Sequence, residues 1–468
     1  MNTLKHLAKV TGTALAVATA LLPFGSSADT LEQAVAQTLD THPELRIVFN
    51  RFKAREAQID QAFAGYLPNV ELNAGWGLEN TNSPSTRRNP LNGPTVDDRD
   101  TELKRGEAGI SIRQMLFDGF LTSSEVDRAT FEATAEQWNL AAAAEDMALD
   151  VARVYLAYIQ AEQVLTLAEK NLQTHKDIYG QIKQRTDSGL GSSADLSQIS
   201  GRLARANANV IAARNNLYDT ISEYKNVTGQ MPKDVIVPVA DADMLPASLD
   251  QTLLLAGENH PVLKSASQDI EAAQSEQAAA KSSFYPTINI ELSGNWNNDL
   301  NGENGRSFSS DVGGHSNDLQ AMVRMRYNLF SGGGDAAKHR ETSYKIAEAK
   351  EIRERAHRQI NEGASLAWNA YELLPEQKLF IREHVVAAKE TQVAYAQQFN
   401  LGQRSLLDLL DTENELFEAR KDYLRAEFDE LLAQYRVLNA TGQLLNSMRV
   451  SRPEAWSGEA EYEGGAFK

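Results

Sequence analysis

The stretch SLLDLLDTENELF, Ser405 to Phe417, sets two carboxylates, Asp408 and Asp411, among Leu406, Leu407, Leu409 and Leu410. Residues three apart share a helix face, so the two acids form one acidic spot. Taken without context, such a pair is the solvated side of an amphipathic helix.

Other chemistry-bearing residues are sparse. The chain has no cysteine, which removes disulfides, thiol catalysis, Cys-ligated zinc and a lipid-modified cysteine. Gly332-Gly333-Gly334 follows a strand pattern and precedes a helix, as a phosphate loop does, but it lacks the wider fingerprint and reads as a junction. His339 and His357 lie too far apart on their helix to share a metal, and no His-x-x-x-His pair occurs. No nucleophile, base and orienting group stand at a recognisable spacing, so neither an enzyme nor a cofactor or metal is implied.

The chain that must position Asp408 and Asp411 has 468 residues, 42% of them hydrophobic, and a formal charge of −18. A dispersed acidic balance argues against nucleic acid as a partner. At the N-terminus Lys5 and Lys9 precede an apolar run from Val10 to Phe24 and the small residues Ser26-Ser27-Ala28, which reads as a secretory signal over residues 1–28. After it no run of eighteen apolar residues occurs, so a helical span is excluded. A membrane form must then be a closed β-barrel.

Repetition sets the organisation. LEQAVAQTLDTHPEL from Leu31 matches LDQTLLLAGENHPVL from Leu249, with His42-Pro43 falling on His260-Pro261. In the same order YLP ending at Pro68 matches FYP ending at Pro286, LFDG with Gly119 matches LFSG with Gly332, and Asp195 falls on Asp408. Two repeats are expected, residues 29–230 and 248–445, each a helix, two strands, a very long helix and a further helix. A Pro-containing linker spans 231–247, and a Gly- and Glu-rich tail over 446–468 is expected to be poorly ordered.

Period-two alternation places strands at about 69–79, 106–117, 286–297 and 319–330. Val70, Leu72, Trp76 and Leu78 share one face opposite Glu71 and Asn73; Ile288, Ile290, Leu292 and Trp296 oppose Asn289, Glu291 and Asn295. Such segments suit a barrel wall between lipid and water, or a one-sided sheet in a soluble domain. Four strands cannot close a barrel, whereas three copies would supply about twelve. The loops Asn80–Arg99 and Asn297–Asn317 would face outward from the cell.

From Met147 the positions Val151, Val154, Tyr158, Ala161, Leu165, Ala168 and Leu172 follow in steps of four and three, a coiled-coil seam. A helix from about Ser124 to Thr186 would be on the order of 90 Å long. Its counterpart, from about Asp335 to Asn400, carries Pro375, where a kink or break is expected.

Together these motifs, in fixed order and in duplicate, resemble the TolC family of outer-membrane channel proteins over nearly the whole mature chain. The resemblance implies an α+β membrane protein: a trimeric twelve-stranded outer-membrane β-barrel, four strands per chain, continuous with a long periplasmic α-helical coiled-coil barrel. It implies a homotrimer in the outer membrane of a Gram-negative bacterium, in contact with outer-membrane lipid and extending into the periplasm. It also implies a periplasmic adaptor (membrane fusion protein) and an inner-membrane transporter, of ABC type for protein export, as partners. The chain itself lacks a G-x-x-x-x-G-K-[ST] nucleotide loop.

By the same resemblance DLLD carries a periplasmic aspartate ring, Asp408 and Asp411 repeated around the axis, able to bind multivalent cations. Gate latches map onto Arg404 and Asp195, with Phe399 where the family's type example has a tyrosine and Gln198 where it has an acid. Pro68, Pro286, Gly119 and Gly332 map onto helix–strand junctions. The expected function is the exit channel of a type I secretion system passing protein cargo, such as a large adhesin; small-molecule or metal efflux is the alternative. A non-conducting periplasmic scaffold is a third reading.

Overall fold

A computed structural model describes residues 30–81, 101–299 and 314–456. The signal segment, most of both long loops and the end of the tail lie outside the described residues. The repeated His-Pro pairs have a local physical role. Helix α1 (Leu31–Thr41) is followed by α2 (Pro43–Phe63), and His42 is the N-cap of α2, its Nδ1 accepting from the Glu44 N–H at 3.2 Å. The pair α5 (Leu249–Asn259) and α6 (Pro261–Lys281) is built the same way, with His260 Nδ1 accepting from Val262 N–H at 3.3 Å. The imidazole satisfies one orphan donor, and proline fills the first helical position, where no N–H is needed.

Short 3₁₀ turns carry α2 and α6 into Pro68 and Pro286, and strands β1 (Asn69–Thr81) and β3 (Thr287–Asp299) begin directly after them. With β2 (Thr101–Phe117) and β4 (Gly314–Arg326) they form one antiparallel sheet in the order β1-β2-β3-β4. Two strands depart from expectation. β2 begins at Thr101, before residue 106, because β1 offers partners as far as Thr81. β4 spans 314–326 and not 319–330, because its ladder ends at Thr287↔Arg326, where Pro286 has no N–H to donate.

After β2, Gly119 and Phe120 take left-handed conformations and the chain enters α3 (Leu121–Asp187), 67 residues and about 100 Å long. Asp118 caps it, accepting from the N–H of Leu121 at 3.1 Å and of Thr122 at 2.8 Å. A Cβ on Gly119 would lie 2.7 Å from the Ser282 carbonyl oxygen, so the first strand-to-helix junction packs against the 3₁₀ turn after α6. Gly332 and Gly333 make the matching left-handed turn into α7 (Gly334–Asn400). The phosphate-loop resemblance of these glycines is thus a junction.

Helices α4 (Ser193–Thr228) and α8 (Leu406–Ala440) return alongside α3 and α7 respectively. Met147, Val151, Val154, Ala161 and Ala168 of the α3 seam are buried, and Tyr158, Leu165 and Leu172 are half-buried. No break occurs at Pro375: α7 is continuous through it. A mid-helix proline costs roughly 3 kcal/mol. Packing against α8, with the Lys378–Glu430 ion pair just beyond the proline, offsets that cost.

The main core surrounds the middle of α3, where Val151, Tyr155 and Leu156 meet Leu31, Val35 and Leu45, Tyr224, and Tyr435 and Leu438. The expectation of a poorly ordered tail from residue 446 fails as far as Trp456. After α9 (Leu444–Ser447), Met448 and Trp456 pack into this core. Glu145 of α3 holds the segment by accepting from the Leu445 N–H at 3.2 Å and Arg452 Nη2 at 3.3 Å. Burial pushes the Glu145 carboxyl above its ordinary pKa, against the pull of those two donors.

Candidate gate and channel wall

The wall is decided by exposure. On the apolar face of the sheet Leu72, Leu78 and Leu319 are 77%, 78% and 86% exposed, and Val70, Trp76, Trp296, Val323 and Met325 are exposed beside them. A one-sided soluble sheet buries that face under helices; here nothing among the described residues covers it. The opposite face is polar and cross-linked, with Arg113 Nε 3.6 Å and Arg324 Nε 2.7 Å from the Glu291 carboxylate, and Asn295 donating to Asp318 at 3.1 Å. Lipid on one side and water on the other satisfy both faces. Neither β1 nor β4 has a second partner among the described strands, so the sheet presents two free edges. No helix among the described residues is long and apolar enough to cross a membrane.

The gate candidates lie at the opposite end of the long helices, where α3 turns into α4 through Gly189 and α7 turns into α8 through Gly402. Both turns are left-handed glycines, and each leaves a leucine in solvent, Leu190 and Leu401. Between the turns an apolar cluster ties the two halves together: Ile178 and Ile182 of α3, Ile199 of α4, Phe399 of α7, and Leu406, Leu409 and Leu410 of α8. Phe399 is only 7% exposed, and the Arg185 guanidinium lies 5.3 Å from its ring centre. The aromatic at the tyrosine position is therefore a buried wedge under a cation–π contact, a role that needs no hydroxyl.

The leucines of DLLD explain its acids. Leu406, Leu409 and Leu410 face the core, while the two carboxylates stand on the more exposed side. Asp408 completes a capping box: its Oδ2 accepts from Ser405 N–H at 3.3 Å and Ser405 Oγ at 2.9 Å, and Ser405 Oγ accepts from Asp408 N–H at 3.2 Å. Asp411 Oδ1 accepts from Arg202 Nη2 of α4 at 2.7 Å, an ion pair across the two halves.

The expected Arg404–Asp195 contact is not formed within the chain. Arg404 donates to Gln398 Oε1 at 3.0 Å, stacks 4.3 Å from the Tyr395 ring centre and reaches Asp408 only at 4.0 Å. It braces its own hairpin. Asp195 lies in the first turn of α4, where a carboxylate complements the helix N-terminus. The cross-half cation is instead Arg202, which sequence reasoning missed. A heptad count from Asp195 lands on Arg202, so the same face of α4 carries both.

A four-stranded sheet with a bare apolar face and two open edges, set on helical hairpins whose far tips are sealed by an apolar cluster and an ion pair, defines a protomer of an outer-membrane channel protein. Residues 34–230 and 253–443 match the family described as Outer membrane efflux protein, and the chain belongs to that family. It is a TolC-type channel protein spanning the outer membrane and the periplasm, not an enzyme. It is 27% identical to outer membrane efflux protein BepC of Brucella suis over 75% of this chain and 74% of that one. It is 23% identical to outer membrane protein TolC of Vibrio cholerae over 89% and 91% of the two chains. The fold is similar to that of the CmeC outer membrane channel of Campylobacter jejuni, with a TM-score of 0.74, 15% identity, and 93% and 89% of the chains covered.

Proposed function

We propose that three copies of this chain close into a passive exit duct of a type I secretion system. The single observation that supports this most strongly is the sheet: an exposed apolar face with unpartnered β1 and β4 edges is stable only when copies pair edge to edge within lipid. In the helical layer α2 and the upper part of α7 lie at the two flanks, so the helices close by the same rotation as the strands. Asp408 and Asp411 of each chain then encircle the periplasmic mouth as a ring that attracts cations, while the Phe399 cluster and Arg202–Asp411 hold the mouth narrow. Leu190 and Leu401 offer apolar contacts at the tips to a periplasmic adaptor, through which an inner-membrane ABC-type transporter delivers protein cargo such as a large adhesin.

A second reading, small-molecule or metal efflux, is supported by the name of the Brucella relative, an efflux protein. Deletion of the gene separates them: loss of a giant protein from the medium supports secretion, and drug or metal hypersensitivity with an unchanged secretome supports efflux. The duct itself is tested by single-channel conductance of the detergent-purified protein in a planar bilayer. A trivalent cation on the periplasmic side is expected to block the wild type and not Asp408→Asn/Asp411→Asn. Survival of the block in that variant removes the ring; a protein that stays soluble without detergent and never conducts is a scaffold.

A further inference from the structure

The polar face of the sheet is not uniformly charged. At its periplasmic end stand Arg113, opposite Glu291, Arg324, opposite Asn289, and Arg326, opposite Thr287. These positions fall within about 13 Å along the strands. Two of the guanidinium groups share the one carboxylate of Glu291, and three arginines against one glutamate leave an excess of two positive charges per chain. Arg113 and Arg324 keep 68% and 47% of their side-chain surface exposed despite those pairs. Further up the same face the sign reverses. Glu71, Asp318, Glu107 and Glu79 follow, with Arg105 paired to both Glu79 and Glu107. A cationic belt in a chain of net charge −18 does not follow from composition.

We propose that this belt is a lumenal girdle that binds carboxylate-rich segments of the exported polypeptide as they pass from the helical duct into the barrel. The inference rests on the closed-duct reading, which turns the polar face inward and repeats the belt around the axis. Guanidinium groups grip carboxylates with paired hydrogen bonds, and a ring of them in a narrow, low-dielectric wall focuses the field on an anion. The girdle lies a full α7 length, about 100 Å, from the acidic mouth. Screening over about 8 Å at physiological salt makes the two rings independent. An acidic segment that has cleared the mouth therefore meets attraction at the base of the barrel and repulsion beyond it, which favours a transient stop and not retention.

The test is block of single channels by an octaglutamate peptide added from the periplasmic side, in the Asp408→Asn/Asp411→Asn background so that the mouth does not repel the probe. Frequent transient blocks are expected, falling about tenfold in frequency with Arg113→Gln/Arg324→Gln added. They should weaken steeply as KCl is raised, and octalysine should not produce them. Arg326→Gln, which leaves both ion pairs of Glu291 in place, is expected to lower the frequency partially and guards against a misfolded double variant. An unchanged block frequency in the arginine variants, a conducting background channel that octaglutamate never blocks, or equal block by octalysine overturns the girdle. A background protein that does not conduct at all overturns the duct instead.

Discussion

Loss of the Arg202 guanidinium should loosen the periplasmic mouth by a calculable amount. The Arg202–Asp411 pair is short, 2.7 Å, but its side chains are 26% and 57% exposed, so solvent screens it. Pairs of that kind contribute about 0.5–1 kcal/mol. If the mouth opens by concerted movement of three chains, the losses add to about 1.5–3 kcal/mol, and each 1.4 kcal/mol is a factor of ten. Arg202→Ala is thus expected to raise the open probability in planar bilayers about 10- to 100-fold, short of a permanently open pore, because the Phe399 cluster remains. Asp411→Ala should do the same, and the double variant should be no more open than either single one. The swap Arg202→Asp/Asp411→Arg should restore the resting state. Arg404→Ala and Asp195→Asn should change little, since these residues do not meet within the chain. Additive effects of the two single variants, or an open probability unmoved by Arg202→Ala, would refute the assignment of this pair as a latch.

Two further outcomes follow from the fold. Gly119→Ala places a Cβ 2.7 Å from a backbone oxygen at φ +72°, and should destabilise the fold by about 2 kcal/mol or more, whereas Gly189→Ala, at φ +75° with nothing within 4 Å, should lose only about 1 kcal/mol in thermal unfolding. Glu145, whose folded pKa is raised by burial, binds more protons folded than unfolded, so its contribution falls as pH rises from the ordinary carboxylate value to the raised one and is flat above it. Comparing the melting temperature of wild type and Glu145→Gln across that window should show the wild type losing stability relative to the variant as pH rises; a constant difference would contradict the burial argument.

Much of this architecture was legible because its determinants are local and periodic. The alternation from Val70 to Leu78 specifies which strand face is apolar, and the four-three steps from Met147 specify a buried seam, since side-chain direction follows directly from backbone period. The His-Pro pairs were legible as markers of the repeat and not as helix starts: one helix is expected ahead of each strand pair, whereas caps at His42 and His260 begin a second one there. The placement of Asp408 and Asp411 at the periplasmic end was an implication of the family resemblance that those motifs carry, and the structure sets both residues just after the α7–α8 turn.

What the sequence could not determine depends on which distant surfaces meet. Whether the apolar strand face is covered is a property of the helix layer, and only the structure shows that no described helix lies over it. β4 ends at Arg326 because its neighbour begins after Pro286, a fact about pairing and not about the residues 327–330 themselves. Pro375 is tolerated because α8 packs along α7, and the segment ending at Trp456 is held because Glu145 accepts from Leu445 N–H and Gln137 donates to the Trp456 carbonyl oxygen, each across about three hundred residues of sequence. The partner of Asp411 was the costliest omission. α4 offers Asp195 and Arg202 on one face, and the lateral offset of α4 against α8, set by how Ile199, Phe399 and Leu410 interlock, selects the arginine. Sequence alone specifies the faces of these helices; their register across the two halves is a consequence of packing, because side-chain volume and not periodicity decides how far one helix slides past another.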